Sequence, residues 1–315
     1  PVAARFDGFV TYNFNGNEDV DLASPYALKL MSGAEISEKI SYYFYFYMSE
    51  RGEVAGVEDA FLMYNNLFDI DLDIYLGQFQ VSDPLYKREL RLSLEDYHVY
   101  TSKIGTSNLD LKYDRGAMVT LGLESGTGLT LQAVNGNGLN EAANRVFDND
   151  KHKSFVGHLS QDIGEIISLG AFAYSGKEAL QHNVETGIVN ETLIWGPNLS
   201  ITPGDRLTFN AQYLQRDDSN IFFSPDASSV TENVSTDALM AELIFSPKGE
   251  KSDWYLMALY NWVESDYEPV NYHSATLHAG YLLSRNIRLV GEYTYDFTLA
   301  DNPMSRLSFG FVSAF

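Results

Sequence analysis

Charges of both signs are mixed in the run Asp83-Pro84-Leu85-Tyr86-Lys87-Arg88-Glu89-Leu90-Arg91, followed shortly by Glu95 and Asp96. It holds the one dense basic cluster of the chain. Fixed charges of both signs in so short a stretch suit the electrostatic sorting of ions or polar solutes at a narrow place, where a low-dielectric wall strengthens each charge. Lys87, Arg88 and Arg91 are the cationic candidates, and Glu89, Glu95 and Asp96 the acidic ones. The same residues read equally well as a set that pairs with itself and with its surroundings to hold the segment down.

Other chemistry finds less support. Six His residues are scattered, and neither His158 nor His278 has a second His at ligand spacing, so no metal site is expected. His158 and Ser160 share a strand face, but a hydrolase also needs a third group to orient the base, and no enzyme activity is expected. Acidic clusters occur at Glu18, Asp19 and Asp21, at Asp148 and Asp150, at Asp217 and Asp218, and at Glu264, Asp266 and Glu268. None has the residue order of a calcium loop, and each is expected to be solvated loop surface. Gly136 and Gly138 precede no helix that could cradle a phosphate, and are expected to end a strand.

The chain contains no Cys, which removes disulfides, thiolate zinc sites, thiol nucleophiles and covalent haem attachment. No cofactor is expected. With 21 basic against 43 acidic residues and a net charge of -22, phosphate neutralisation on nucleic acid is also excluded. An acidic surface suits lipopolysaccharide, where divalent ions bridge carboxylates and phosphates.

The elements that position the charged run are strands. Hydrophobicity alternates with period two from end to end. Leu207, Phe209, Ala211 and Tyr213 alternate with Thr208, Asn210 and Gln212, and Leu277, Ala279, Tyr281 and Leu283 with Thr276, His278 and Gly280. Leu239, Ala241, Leu243 and Phe245 share a face, although their partners, Met240 and Glu242 among them, are less uniform. Strands are predicted at 4-15, 25-37, 39-50, 56-67, 70-82, 113-124, 127-137, 152-163, 166-176, 188-202, 206-216, 237-247, 252-263, 272-284, 287-297 and 304-315. Every second connection is tight, while the others are mostly longer and polar, as when the two rims of a barrel face different compartments.

No stretch approaches the ~18 uninterrupted apolar residues of a membrane helix, whereas a barrel strand needs an apolar residue only at alternate positions. The expected fold is therefore all-β, a sixteen-stranded antiparallel transmembrane barrel forming one domain over residues 1-315, in the bacterial outer membrane. The start at Pro1 without a leader reads as the mature form of an exported chain. Taking the N-terminus as periplasmic places eight loops outside, the third running from about Asp83 to Lys112. Its charges are expected to face Glu242, His278, Arg288, Glu292, Asp296 and Arg306 across a polar lumen. Tyr42, Tyr43, Tyr45 and Tyr47, with Trp254, Trp262, Tyr293 and Tyr295, are expected to form interfacial aromatic girdles, although plain β-propensity also accounts for them. The alternating aromatics before Phe315 resemble the C-terminal assembly signal of outer-membrane proteins.

The run Tyr75-Leu76-Gly77-Gln78-Phe79-Gln80-Val81-Ser82-Asp83-Pro84 resembles the phosphate-selective porin O and P family, in which Gly-Gln-Phe precedes a nearby Pro. Val134-Asn135-Gly136-Asn137-Gly138 and Leu289-Val290-Gly291-Glu292-Tyr293 resemble that group too. The resemblance implies a sixteen-stranded porin with an inward third loop that constricts the pore, and a homotrimer. Phosphate selectivity is not carried over, because the family lines its pore with basic residues and this chain is acidic. Some barrels of similar pattern sheathe multihaem cytochromes for extracellular electron transfer. A haem partner of that kind is the rival to solute diffusion.

Overall fold

Peptide groups that face hydrocarbon must find hydrogen-bond partners within the protein, and a sheet closed on itself leaves no edge. In the computed structural model, which describes residues 2-14, 18-139, 146-148, 150-179, 189-222, 233-299 and 303-315, sixteen antiparallel strands close into such a barrel. The first eight are β1 (Val2–Phe14), β2 (Glu18–Ser37), β3 (Ile40–Glu50), β4 (Gly56–Tyr64), β5 (Leu72–Gln80), β6 (Tyr113–Gly122), β7 (Thr127–Val134) and β8 (Ser154–Ile163). The second eight are β9 (Ile167–Glu178), β10 (Asn190–Ile201), β11 (Leu207–Asp218), β12 (Val234–Phe245), β13 (Trp254–Ser265), β14 (Tyr272–Ser284), β15 (Ile287–Asp296) and β16 (Met304–Ala314). Each pairs with its neighbours in sequence, and β1 closes on β16 with Phe9 opposite Gly310.

These strands follow the alternation closely. Asn15 and Ile188, at predicted strand ends, lie outside the described residues. One start differs widely: β2 begins at Glu18 where the pattern predicts residue 25, so Glu18, Asp19 and Asp21 belong to a strand and not to a loop. Asp19 and Asp21 pair with Asn13 and Thr11 of β1. The pattern is broken at Ser24, Pro25 and Tyr26, three residues that stand opposite the single Gly8 between the pairs Asp7–Ala27 and Phe9–Ala23. Asp217, Asp218 and Glu264 likewise extend strands, because β11 and β13 run further than their apolar patterns do. Asp148 and Asp150 lie between β7 and β8, Asp266 and Glu268 between β13 and β14, but Asp148, Asp150 and Asp218 are buried and not solvated surface, because Asp148 pairs with Lys153, Asp150 accepts from Ala179 N–H and Asp218 pairs with Arg216.

Outward positions are apolar. Leu277, Tyr281, Leu289, Tyr293, Trp254, Leu256 and Phe309 are all exposed on the outer face, with Tyr295 beside them. Tyr43, Tyr45 and Tyr47 are a correction to the girdle. They point into the barrel, where Tyr45 is 2% and Tyr47 7% exposed. Period two puts these three on the opposite face from Tyr42, and the hydroxyls of two of them find carboxylates inside: Tyr45 donates to Glu58 at 2.7 Å and Tyr47 to Glu89 at 3.2 Å.

The interior is also less polar than expected. Met118, Val156, Phe172, Ile194, Leu214, Ala238, Met240, Met257 and Leu259, from β6 and β8 to β13, pack with Tyr97, Val99, Tyr100, Leu109 and Leu111 of the third loop. One half of the lumen wall is thus a hydrophobic core that the loop covers, and this is why Met240 stood out against the alternation. Burying such side chains contributes about 1.5–3 kcal/mol each.

If the outer face lies in hydrocarbon, Leu277→Arg, near the middle of β14 and 65% exposed, destabilises the barrel by about 2–4 kcal/mol. Urea titration of the protein refolded in vesicles measures this. A change below about 0.5 kcal/mol places the residue outside the membrane.

Candidate functional site

The third loop leaves β5 at Val81 and returns to β6 at Lys112, its stem closed by Val81 N–H donating to Lys112 O at 3.0 Å and Ser82 N–H to Leu111 O at 3.1 Å. Two 3-10 turns shape it, Arg88–Leu90 and His98–Tyr100. Its contacts reach strands from β2 and β4 to β9, β13 and β16. A segment so placed carries peptide groups away from bulk water, and each needs a partner.

The wall supplies those partners as inward carboxylates and amides. Glu292 of β15 accepts from the N–H of Leu94 at 2.7 Å and of Glu95 at 2.9 Å. Glu178 of β9 accepts from Ser107 Oγ at 2.7 Å and Asn108 N–H at 3.0 Å. Glu242 of β12 accepts from Tyr97 Oη at 2.7 Å and from Asn210 Nδ2 at 3.0 Å. Asn261 of β13 donates to Asp96 O at 2.9 Å and accepts from His98 N–H at 3.2 Å. Arg216 of β11, paired with Asp218, donates to the carbonyls of Ser102 and Leu109.

The six charged loop residues are tied down as well. Lys87 pairs with Asp83 at 2.6 Å and lies 4.0 Å from Asp59 of β4. Arg88 donates through Nε to Asp96 at 2.8 Å, and Arg91 lies 3.9 Å from the same carboxylate. Glu89 accepts from Lys29 of β2 at 3.0 Å, while the Lys29 ammonium sits 4.9 and 4.7 Å from the rings of Tyr45 and Tyr47. Glu95 meets Arg306 of β16 at 2.7 Å, His98 at 3.2 Å and the Tyr272 hydroxyl at 2.5 Å. Burial opposes the charge on Glu89 and Asp96, but Lys29, Arg91 and Arg88 outweigh it at Glu89, and Arg91 and Arg88 do so at Asp96, so both carboxyls are held below their ordinary range. Glu95 is lowered too, with burial again overcome by His98, the Tyr272 hydroxyl and Arg306.

Of the six wall candidates, Glu242, Glu292 and Arg306 touch the loop. His278 reaches it through Glu292, with Nδ1 2.9 Å from that carboxylate and Nε2 3.0 Å from Tyr255 Oη. Arg288 lies over the Tyr255 ring at 5.6 Å, and Asp296 caps Thr298, so these two are not in the loop contacts. His158 bonds Asn198 at 2.9 Å and not Ser160. Gly136 and Gly138 follow the end of β7 with left-handed φ of 91° and 66°, and Gly136 N–H donates to Asp114. Lys29, Glu58, Glu178, Arg216 and Asn261 complete the arrangement and escaped the sequence reading. Each shares the inward face of its strand, except Glu58, which a bulge between β3 and β4 turns inward beside Asp59.

No known family profile matches the chain, and no curated protein matches it by sequence. Solved structures match over its whole length. They include an anion-selective porin from Comamonas acidovorans, 11% identical, with 100% of this chain and 99% of that one covered and a TM-score of 0.70. A loop-deleted OmpT, an outer-membrane protein of Vibrio cholerae, gives 12% identity, 100% and 98% coverage and a TM-score of 0.67. Salmonella typhi OmpF in complex with daunomycin gives 12% identity, 100% and 97% coverage and a TM-score of 0.65. At these identities the likeness is one of fold, the sixteen-stranded porin barrel.

The depressed carboxyls give a pH dependence. A group whose pKa is lowered by its partners contributes stability above the ordinary carboxyl value and loses it as pH falls through the lowered one. A spin label at Leu90→Cys, a position 75% exposed in a chain with no other Cys, therefore stays as immobile at pH 4 as at pH 7 and is released only below about pH 3. Release between pH 6 and 4 contradicts the ion-pair assignment.

Proposed function

We propose that the chain is a porin of the bacterial outer membrane, through which ions and small polar solutes diffuse past the third loop. The observation that carries this reading is the loop itself, which enters the lumen and is fastened to the wall by Glu178, Glu242 and Glu292. On the side of its stem it leaves a hollow of about 980 Å³ bordered by charged groups such as Glu50, Glu58, Asp110, Lys112, Asp296 and Arg306. A water-filled route beside a fixed loop selects by charge and width. In this reading Lys87, Arg88, Glu89, Arg91, Glu95 and Asp96 are the constriction, with Glu242, His278, Arg288, Glu292, Asp296 and Arg306 lining the lumen. The apolar outer belt supports contact with outer-membrane lipid, and the acidic balance of the chain supports contact with lipopolysaccharide. A homotrimer, as the sequence resemblance implies, would cover part of that belt.

The pairing of the loop cations decides how the constriction responds to mutation. Arg88 and Arg91 share Asp96 in a buried cluster, whereas the Lys87 side chain is 27% exposed. Purified protein in planar bilayers should form ion-conducting channels, and Lys87→Glu should move the reversal potential in a salt gradient toward cations while leaving the channel assembled. A barrel that co-purifies with a haem protein and does not conduct contradicts the proposal and favours the sheathing role.

A further inference from the structure

At the end of the barrel that carries the third loop, a second hollow of about 670 Å³ opens between β1, β2, β16 and the loop tip at Leu94, adjoining the larger one across the shared residues Arg51, Leu94 and Arg306. An irregularity in the sheet builds its wall. Because Ser24, Pro25 and Tyr26 stand opposite Gly8 alone, β2 bulges there, and bulges of this kind re-aim side chains beside binding sites. The bulge packs closely over Gly8, where a Cβ would come 2.8 Å from Ser24 Oγ and 3.1 Å from the Phe311 ring. The Tyr26 ring, edge-on to Phe9 at 5.0 Å, receives the Arg51 guanidinium, whose carbon lies 5.7 Å from its centroid and whose Nε donates to the hydroxyl at 3.1 Å.

The charges of this hollow are unlike those of the acidic chain around it. Among the described residues its ionic groups are Arg51, Arg306 and Asp21. Arg306 pairs with Glu95, but the arginine side chain is 41% exposed and the carboxylate 4%, so the guanidinium faces water with its counter-ion behind it. Arg51 makes no ion pair among the described residues, its contacts being those to Tyr26. Beside the guanidinium groups lie the paired hydroxyls of Thr11 and Ser308, 2.9 Å apart, and the apolar surfaces of Pro25 and Leu94.

We propose that this hollow is a binding site for small organic monocarboxylates, with the carboxylate held by Arg51 and Arg306 and the apolar body against Tyr26, Pro25 and Leu94. Guanidinium binds carboxylate through charge-assisted, often bidentate hydrogen bonds, and an apolar wall adds affinity only for a ligand that has a body to bury. A multiply charged inorganic anion gains nothing from that wall and is opposed by Asp21. The inference rests on the porin reading and names a class of solute for it, captured before the constriction.

Titration calorimetry on the purified, folded barrel in detergent tests it without a membrane, using benzoate, acetate, benzyl alcohol and inorganic phosphate as probes. Benzoate is expected to bind most tightly of the four. Arg51→Gln, which breaks no ion pair, should weaken it by about tenfold, while Arg306→Lys, which keeps the charge beside Glu95, should weaken it less. Unchanged benzoate affinity in Arg51→Gln, phosphate binding as tight as benzoate, or no benzoate binding to the wild-type protein overturns the proposal. A barrel that binds benzoate but does not conduct defeats the porin reading alone, and one that conducts without binding benzoate defeats this site alone.

Discussion

A loop that enters the interior of a barrel takes its peptide groups away from water, and the rest of this structure depends on how they are satisfied. Three strands far apart in the sheet each present one inward carboxylate, Glu178, Glu242 and Glu292, and the loop offers N–H and hydroxyl donors to all three. Hydrogen bonds to charged groups are worth about 1.5–3 kcal/mol each, and losing one leaves a buried carboxylate or N–H unsatisfied. Once the loop is fixed in this way, its apolar side chains Tyr97, Val99, Tyr100, Leu109 and Leu111 cover the hydrophobic half of the wall. The same docking places Leu94 and Glu95 against β15 and β16, and so determines where both hollows lie.

Charge in the lumen is organised in pairs, and exposure decides what each pair shows to a solute. Lys29 with Glu89, and Arg88 with Asp96, have both partners largely buried and present little net field. Arg5 with Asp7 and Arg306 with Glu95 are asymmetric, with the arginines 26% and 41% exposed and the carboxylates 2% and 4%. A net charge of -22 for the chain therefore says little about the field along a route beside β16 and β1.

The barrel was legible because closure forces alternation on every strand, and alternation survives in sequence. The third loop was legible because nothing else in the chain separates two strands by so long a connection. Where the reading failed, the interior was the reason. Tyr43, Tyr45 and Tyr47 match a membrane girdle in composition, and only the register of β3 against β2 and β4 shows that they face Lys29 and Glu58. Met240 and Leu214 lie on the face that alternation marks as polar, since that face meets a folded loop and not water. Lys87, Arg88 and Arg91 were visible as charges, but their partners Asp59, Asp83 and Asp96 follow from a fold of the loop that no local pattern encodes. The β2 bulge left only Ser24-Pro25 as its trace, which reads as the end of a loop.

Whether the docked third loop sets the passage through this barrel is decided by single-channel recording of the protein beside a variant in which residues 83-112 are replaced by a short turn. The wild type is expected to conduct, and the variant, still folded, to conduct several times more. Equal conductance in the two proteins would contradict it, because the loop would then lie outside the path of the ions.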